Sequence, residues 1–359
     1  MKKLTGYMAG VNLGGWISQY RDLDHEHFKS FITEKDIQTI ASWGMDHVRV
    51  PVDYPVLEDN AKPGVFLESG FAYLDNAIAW TKKYGINLVI DVHRAPGFSF
   101  GSPGNTLFTD TAMQGRFVAL WKAIARRYRG EGANVLYELL NEVVDPDSSR
   151  WNSMAEKLIS GIREEDSEHS IVVGGIHYNS VKALAALPIF KDDKIVYTFH
   201  MYEPMALTHQ KARWVKAAMN FNRDMTYPSE DIKSYLEYLE VLRDVQQGQS
   251  EMDKEFLHRV LLKDYEGLTR MDKKFIYQFL KPAFDFIEKH DKPMYCGEYG
   301  VIDHTGMASR EAWSADLSDV LLEYGIGRAV WSYKQMSFTL IDKEGKPVSE
   351  KLVKAVSKI

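Results

Sequence analysis

Asn134-Val135-Leu136-Tyr137-Glu138-Leu139-Leu140-Asn141-Glu142 is apolar for much of its length and stops on a carboxylate. Lys292-Pro293-Met294-Tyr295-Cys296-Gly297-Glu298 ends in the same way. Short apolar runs of this kind read as buried strands. A carboxylate at the end of such a run is costly to place, because its charge must be solvated or paired. Two of them, each at the C-terminal tip of a strand, fit a closed parallel barrel, in which functional groups stand at the C-terminal ends of the strands.

Reading outward, strand-like and helix-like segments alternate. Strands are expected at residues 10–14, 47–52, 87–93, 134–141, 171–175, 196–202, 294–300 and 327–333. Helical spacing is expected over residues 34–43 with Thr33 as N-cap, 71–84 ended by Gly85, 110–129, 150–168, 181–187 and 310–324. Eight strands separated by helices predict an α/β chain folded as a (β/α)8 TIM barrel. One connection breaks the rhythm. The stretch from Tyr202 to about Met271 far exceeds an ordinary βα loop of ~2–6 residues. Helix-like spacing over residues 211–225, 231–247 and 251–262, with Trp214, Phe221, Tyr235 and Tyr238, predicts a helical subdomain inserted after strand six. The expected organisation is one catalytic domain over residues 1–359, with residues 205–270 forming a helical subdomain over the functional face.

Bulk composition narrows the classes. The 359 residues are 45% hydrophobic, enough for a large core, and 26% charged with a net charge of −6. The 44 Lys and Arg are outnumbered and form no long basic block, so no nucleic-acid partner is expected. A single cysteine, Cys296, excludes an intrachain disulfide framework and a multi-cysteine zinc site. Lys2 and Lys3 are not followed by an apolar stretch of ~7–15 residues. No run of ~18 apolar residues predicts a membrane span. The expectation is a cytoplasmic protein, or a secreted one whose signal peptide is absent from this chain.

Eight residues share positions at or near predicted strand tips: Arg49, His93, Asn141, Glu142, His200, Tyr202, Glu298 and Trp331. None is informative alone, since a lone strand Arg is more often an ion-pair partner and a lone Trp is more often packing. Together they suit cleavage of a glycosidic bond. That reaction needs one protonated carboxyl for the leaving oxygen and, with retention, one ionised carboxylate about 5–5.5 Å away as nucleophile. An Arg beside one carboxylate would hold it ionised, separating the two pKa values. A Trp face suits the apolar face of a glucose-like ring.

The chain resembles glycoside hydrolase family 5, the old cellulase family A. The matching segments are Gly10-Val11-Asn12-Leu13-Gly14-Gly15-Trp16, His47-Val48-Arg49-Val50-Pro51, Asp91-Val92-His93, Leu139-Leu140-Asn141-Glu142, Phe199-His200-Met201-Tyr202, Gly297-Glu298-Tyr299-Gly300 and Val330-Trp331. The long insertion is similar to that of a clostridial endoglucanase branch. The resemblance implies that Glu142 is the general acid/base and Glu298 the nucleophile. It implies that Arg49 and Tyr202 orient and ionise Glu298. His93 and Asn141 would bind the sugar at the cleaved bond, His200 would join the hydrogen-bond network, and Trp331 would floor the same subsite. The implied activity is endo-1,4-β-glucanase action on cellulose-like or mixed-linkage β-glucan, with no cofactor and no metal, and with a monomer favoured.

Alternatives remain at this point. Gly14-Gly15-Trp16 is similar to exo-acting β-1,3-glucanases of the same family, and the shared set does not separate glucan from β-mannan. A metal-dependent barrel would need ligands such as a His-x-His pair at a strand end, whereas His25 and His27 lie in a polar loop. A non-catalytic glycan-binding barrel is the remaining rival. Among other aromatics, Trp43, Trp80 and Trp121 read as core, while Trp16, Phe98, Phe100 and Trp151 are candidates for remote sugar subsites. Strand alternation puts Cys296 on the same face as Glu298, as a small buried filler.

Overall fold

The computed structural model describes residues 3–102, 104–246 and 250–359. Eight parallel strands close into a barrel in chain order, with the last returning to the first. They are β1 (Gly10–Asn12), β2 (His47–Asp53), β3 (Asn87–Arg94), β4 (Val135–Glu138), β5 (Ile171–Gly174), β6 (Ile195–Met201), β7 (Met294–Tyr299) and β8 (Gly327–Val330). The fold is therefore the expected (β/α)8 barrel with a helical insertion after strand six. Several strands are shorter than their apolar runs. Beyond Glu138 the chain leaves the regular ladder but stays pinned, with Leu139 N–H donating to Val172 O and Asn141 N–H to Val92 O.

Two apolar clusters account for the layering. Tyr7, Val89, Leu136, Val172, Val196, Tyr295 and Ala329 fill the lower barrel interior. The much larger cluster holds the opposite strand faces against the surrounding helices. Above the inner plug the same inward positions carry polar groups, so the barrel bore turns from apolar to charged toward the C-terminal tips.

Helix ends follow local chemistry. Thr33 and Asp36 form a capping box before the helix Glu34–Ser42. Asp110 caps Thr111–Tyr128, accepting from the amides of Ala112 and Met113. Gly85 ends Glu68–Tyr84 in the left-handed conformation, where a side chain would be strained. The segment expected as a helix near residue 181 is a 3-10 helix, Val181–Ala186.

The insertion comprises helices Met205–Thr208, Lys216–Phe221, Ile232–Asp244 and Glu251–Leu262, before Lys273–His290 returns the chain to β7. The first long helix is shorter than expected, because Asn222 adopts φ 46° and stops it. The next runs from its cap Asp231 to Asp244; Gln247, at its expected end, lies outside the described residues. Gln210 bridges the insertion to the loop after β7, accepting from Met225 N–H at 3.0 Å and donating to Thr305 Oγ1 at 2.6 Å. Tyr227 Oη donates to Asp316 at 2.8 Å, fastening the far side to the helix Met307–Glu323. Among the described residues no helix is long and apolar enough to cross a membrane.

Candidate active site

Arg49 organises the upper bore. It is fully buried on β2, and its charge is met by three carboxyls. Nε and Nη2 grip Glu138 at 2.7 and 2.9 Å; Nη2 also reaches Asn141 Oδ1 at 3.0 Å and Asp91 Oδ2 at 3.0 Å. Nη1 donates to Asn12 Oδ1 at 2.9 Å and to Glu298 Oε1 at 2.7 Å. Burial works against the charge, and the attraction of Asp91, Glu138 and Glu298 outweighs it, so the guanidinium stays protonated. One cation cannot balance three buried carboxylates equally. Asp91 takes the consequence: burial pushes its pKa up to about 7 against the pull of Arg49.

Glu298 receives a second donor, the hydroxyl of Tyr202 at 3.0 Å from Oε2. Burial and the neighbouring Glu298 raise the Tyr202 pKa far above a free phenol, so it remains a donor. Glu298 points inward because β7 is irregular. Phe199 pairs with Cys296 but His200 pairs with Glu298, leaving Gly297 as an extra residue. A Cβ on Gly297 would stand 3.2 Å from both His200 Nε2 and Thr198 Oγ1. The bulge also corrects the expectation for Cys296. Tyr295 belongs to the inner plug and Cys296 to the outer, helix-facing cluster, so Cys296 does not share the face of Glu298. Simple alternation fails where a bulge intervenes. Cys296 is a buried filler, as expected, and burial raises its thiol pKa.

Glu142 lies four residues beyond β4 with φ 40°, a left-handed conformation uncommon outside glycine. Its carboxyl is 3.0 Å from His200 Nδ1, which is also 3.8 Å from Glu298 Oε2. Ligand atoms of Glu142, His200 and Glu298 all lie within 4.8 Å of one another. The two glutamates therefore face each other across one narrow gap. Their surroundings differ. Burial pushes Glu142 up to about 7, only partly offset by His93 and Arg49. Glu298 instead holds two direct donors. Burial drives His200 down to about 4, so its ring is neutral at neutral pH and can share a proton with Glu142.

The remaining expected residues gather around this pair. His93 Nδ1 is 2.7 Å from Asp91, and its Nε2 is 3.4 Å from Asn141 Nδ2. Its ring stacks on Trp331 with centroids 5.8 Å apart and planes 10° apart. Trp331, just past β8, lies over Gly14, where a Cβ would come within 2.7 Å of the indole. All eight residues singled out from the sequence are thus joined by one chain of contacts around Glu142 and Glu298. Asn12, Asp91 and Glu138 complete the network and were given no role in the sequence reading. Asp91 and Glu138 are the counter-charges that a buried Arg requires, a need that appears only once Arg49 is seen to be buried. The other aromatic expectations divide. Trp16 and Trp151 are fully buried and donate to the backbone of Phe28 and Gly174, so they are core. Trp121 is core as expected, and Trp43 and Trp80 pack against it half-buried. Phe100 sets its edge toward His93.

Comparisons with known proteins agree with this geometry. The model of the cellulase family (glycosyl hydrolase family 5) matches residues 8–337. The chain is 42% identical to Endoglucanase C of Acetivibrio thermocellus, over 99% of each chain. It is 34% identical to Cellodextrinase A of Ruminococcus flavefaciens, covering 91% of this chain and 86% of the relative. Among solved structures, Thermotoga maritima Cel5A in complex with cellobiose superposes with a TM-score of 0.73 at 22% identity, covering 99% of this chain and 100% of that one, a likeness of fold. A glycosidic-bond hydrolase built on this barrel is what the sequence match requires, and the chain belongs to glycosyl hydrolase family 5, the cellulase family.

Proposed function

We propose that this enzyme is a retaining endo-1,4-β-glucanase that cuts internal bonds of cellulose-like or mixed-linkage β-glucans by double displacement. The observation that carries the reading is the approach of Glu142 and Glu298 to within 4.8 Å. Retaining pairs stand about 5–5.5 Å apart and inverting pairs about 6.5–9.5 Å apart. The difference in their surroundings supports the division of roles. Glu298, held by Arg49 and Tyr202, attacks the anomeric carbon. Glu142, raised to about 7, gives its proton to the leaving oxygen. In the second step ionised Glu142 takes a proton from water, whose oxygen displaces Glu298 from the glycosyl-enzyme.

The neighbours support each step. Asn141 Oδ1 is occupied by Arg49 and one amide hydrogen by His93, which leaves the other for the sugar 2-hydroxyl. Trp331, stacked on His93, floors the cleaved subsite. His200 relays protons to Glu142. The linkage follows the relatives, which carry the names endoglucanase and cellodextrinase. We read residues 1–359 as one catalytic domain acting as a monomer, with residues 205–270 overhanging the cleft. His209 and Trp214 from that segment support this, since His209 packs its ring against Tyr202 at 5.0 Å and Trp214 packs against His209 at 6.3 Å.

The deciding experiment is incubation with barley glucan, carboxymethylcellulose, laminarin and mannan, with product sizing and the anomer followed by NMR. Internal fragments of the first two, released with retained configuration, are expected. Cleavage of laminarin alone from chain ends would establish the exo-β-1,3 reading, and preference for mannan the mannanase reading. A chelator titration separates the two-carboxylate reaction, which needs no metal, from metal-assisted hydrolysis at Glu142, His200 and Glu298.

A further inference from the structure

Asp91 stands two residues before His93 on β3, and strand alternation puts both side chains on the inward face, above Val89 of the inner plug. Asp91 is fully buried, and its two oxygens have unequal surroundings. Oδ2 is 2.7 Å from His93 Nδ1 and 3.0 Å from Arg49 Nη2. Oδ1 is buried with no hydrogen-bond partner among the described residues.

These contacts belong to a closed circuit, and its polarity can be read from Arg49, which only donates. Arg49 Nη2 stands 3.0 Å from Asn141 Oδ1, so that end of the amide accepts and Nδ2 is the donor. Asn141 Nδ2 faces His93 Nε2 at 3.4 Å, so Nε2 is an acceptor. Burial lowers the His93 pKa and keeps the ring neutral, with a single N–H. That hydrogen is then on Nδ1, where it is donated to Asp91 Oδ2. In a neutral imidazole, the partner of one nitrogen decides which of the two is protonated. The ring plane is held by other means, with Trp331 stacked at 10° to it and Phe100 set edge-on. What is left for Asp91 to set is the tautomer. With the hydrogen on Nε2, two donors would face each other and Asn141 would be turned aside.

An acceptor atom, rather than a charge, is what this position supplies. Burial pushes Asp91 up to about 7, and a proton on Oδ1 leaves both contacts of Oδ2 in place.

We propose that Asp91 is a positioning residue: by accepting from His93 Nδ1 it fixes the tautomer that turns the free amide hydrogen of Asn141 toward the 2-hydroxyl of the sugar at the cleaved bond. The inference rests on the retaining β-glucanase reading, in which Asn141 meets that hydroxyl, and adds the group that aims it.

The test uses the full chain, an aryl β-cellobioside and its analogue lacking the 2-hydroxyl on the ring that bears the aryl group. The readout is the ratio of the two kcat/KM values, taken as a change from the unaltered enzyme. In Asp91→Ala the ratio of hydroxylated to deoxy substrate falls by about tenfold, the loss of one hydrogen bond. Asp91→Asn keeps an oxygen where Oδ2 stands and retains most of the ratio. A merely structural role, or one exerted on Glu298 through Arg49, lowers both substrates alike. An unchanged ratio in Asp91→Ala, or as large a fall in Asp91→Asn, therefore overturns the proposal. An unchanged ratio in Asn141→Ala would instead remove the 2-hydroxyl reading of Asn141, and the proposal with it. Should Asp91→Ala fail to fold, NMR of the ring nitrogens in histidine-labelled unaltered protein reads the tautomer directly, with the His93 signals assigned by their loss in His93→Gln. The hydrogen is expected on Nδ1, and a hydrogen on Nε2 overturns the proposal.

Discussion

Arg49 Nη1 stands 2.7 Å from Glu298 Oε1 while the opposite edge of the same guanidinium grips Glu138 through bonds of 2.7 and 2.9 Å. The cation beside the proposed nucleophile is therefore aimed from below, by a carboxylate buried in the bore. Planar two-point pairing fixes its orientation as well as its charge. Charge stabilisation set in advance needs no rearrangement when Glu298 attacks.

Glu298→Ala should lower turnover by about 10⁴-fold or more, the scale on which nucleophile removal acts in a cooperative site. Azide should restore some cleavage of an activated glycoside and give the inverted product, which chromatography and NMR would identify. Substantial activity in any non-carboxylate variant at this position would take Glu298 out of the mechanism.

Glu142→Ala should harm natural glucans far more than aryl glycosides with good leaving groups, since only the former need the proton. The pH profile gives a second reading. Burial raises Glu142 to about 7, and the acid must be protonated, so kcat should fall as pH rises through that region. The alkaline limb should vanish in Glu142→Ala acting on a good leaving group. Equal losses on both substrate classes would argue against a proton donor here.

Stability should carry the same signature. Glu142 has a folded pKa above its unfolded value, so the folded state binds the extra proton. Its contribution is fully present below the unfolded pKa near 4.5 and is lost as pH rises through about 7. Glu142→Gln removes the buried charge and should melt higher than the unaltered protein at pH 8, by roughly 2–4 °C for about 1 kcal/mol. The difference should close toward pH 4. Calorimetry at the two pH values checks it, and a gap that widens on acidification would contradict the burial argument.

The strand count was legible because each barrel strand is a compact apolar run with helix signals on either side. The eight residues gathered around Glu142 and Glu298 were legible as a group because they sit at or near the tips of those runs. What lay beneath was harder to read. Asp91 and Glu138 stand inside strands, where a lone acid carries no signal until the buried Arg49 is known to face it. The bulge at Gly297 is likewise invisible to a rule that assumes regular alternation, and this is why Cys296 was assigned to the wrong face. Trp16 and Trp151 follow strands as subsite residues would, but their indole N–H groups meet backbone carbonyls in the core.

Glu138 offers a test of the support beneath the nucleophile. Glu138→Gln breaks a buried two-point ion pair and should destabilise the fold by up to about 3–5 kcal/mol. With Arg49 less firmly aimed, kcat should fall more than KM rises, because Glu138 is remote from substrate and acts on Glu298 through Arg49. A variant with an altered KM and full kcat would assign Glu138 to binding instead.

Trp214 tests the insertion. It is 61% exposed, an unusual state for so large an apolar ring, and it packs against His209, which packs against Tyr202. Removing the whole segment from Leu207 would also remove Thr208, whose hydroxyl bonds Tyr202 O, and Gln210, which ties the insertion to Thr305. Such a deletion would disturb the nucleophile's own donor and confuse the result. Trp214→Ala leaves those bonds in place. If the exposed indole stacks on a sugar beyond the cleaved bond, the variant should weaken affinity for long oligosaccharides by about 0.5–1.5 kcal/mol and shift product lengths, because ring stacking contributes on that scale. The rate on a short aryl glycoside should change little, since Trp214 reaches Glu298 only through two intervening rings. Product sizing on barley glucan, paired with aryl release, separates the cases. Unchanged products and affinity would leave the insertion as a cap on the barrel with no part in substrate binding.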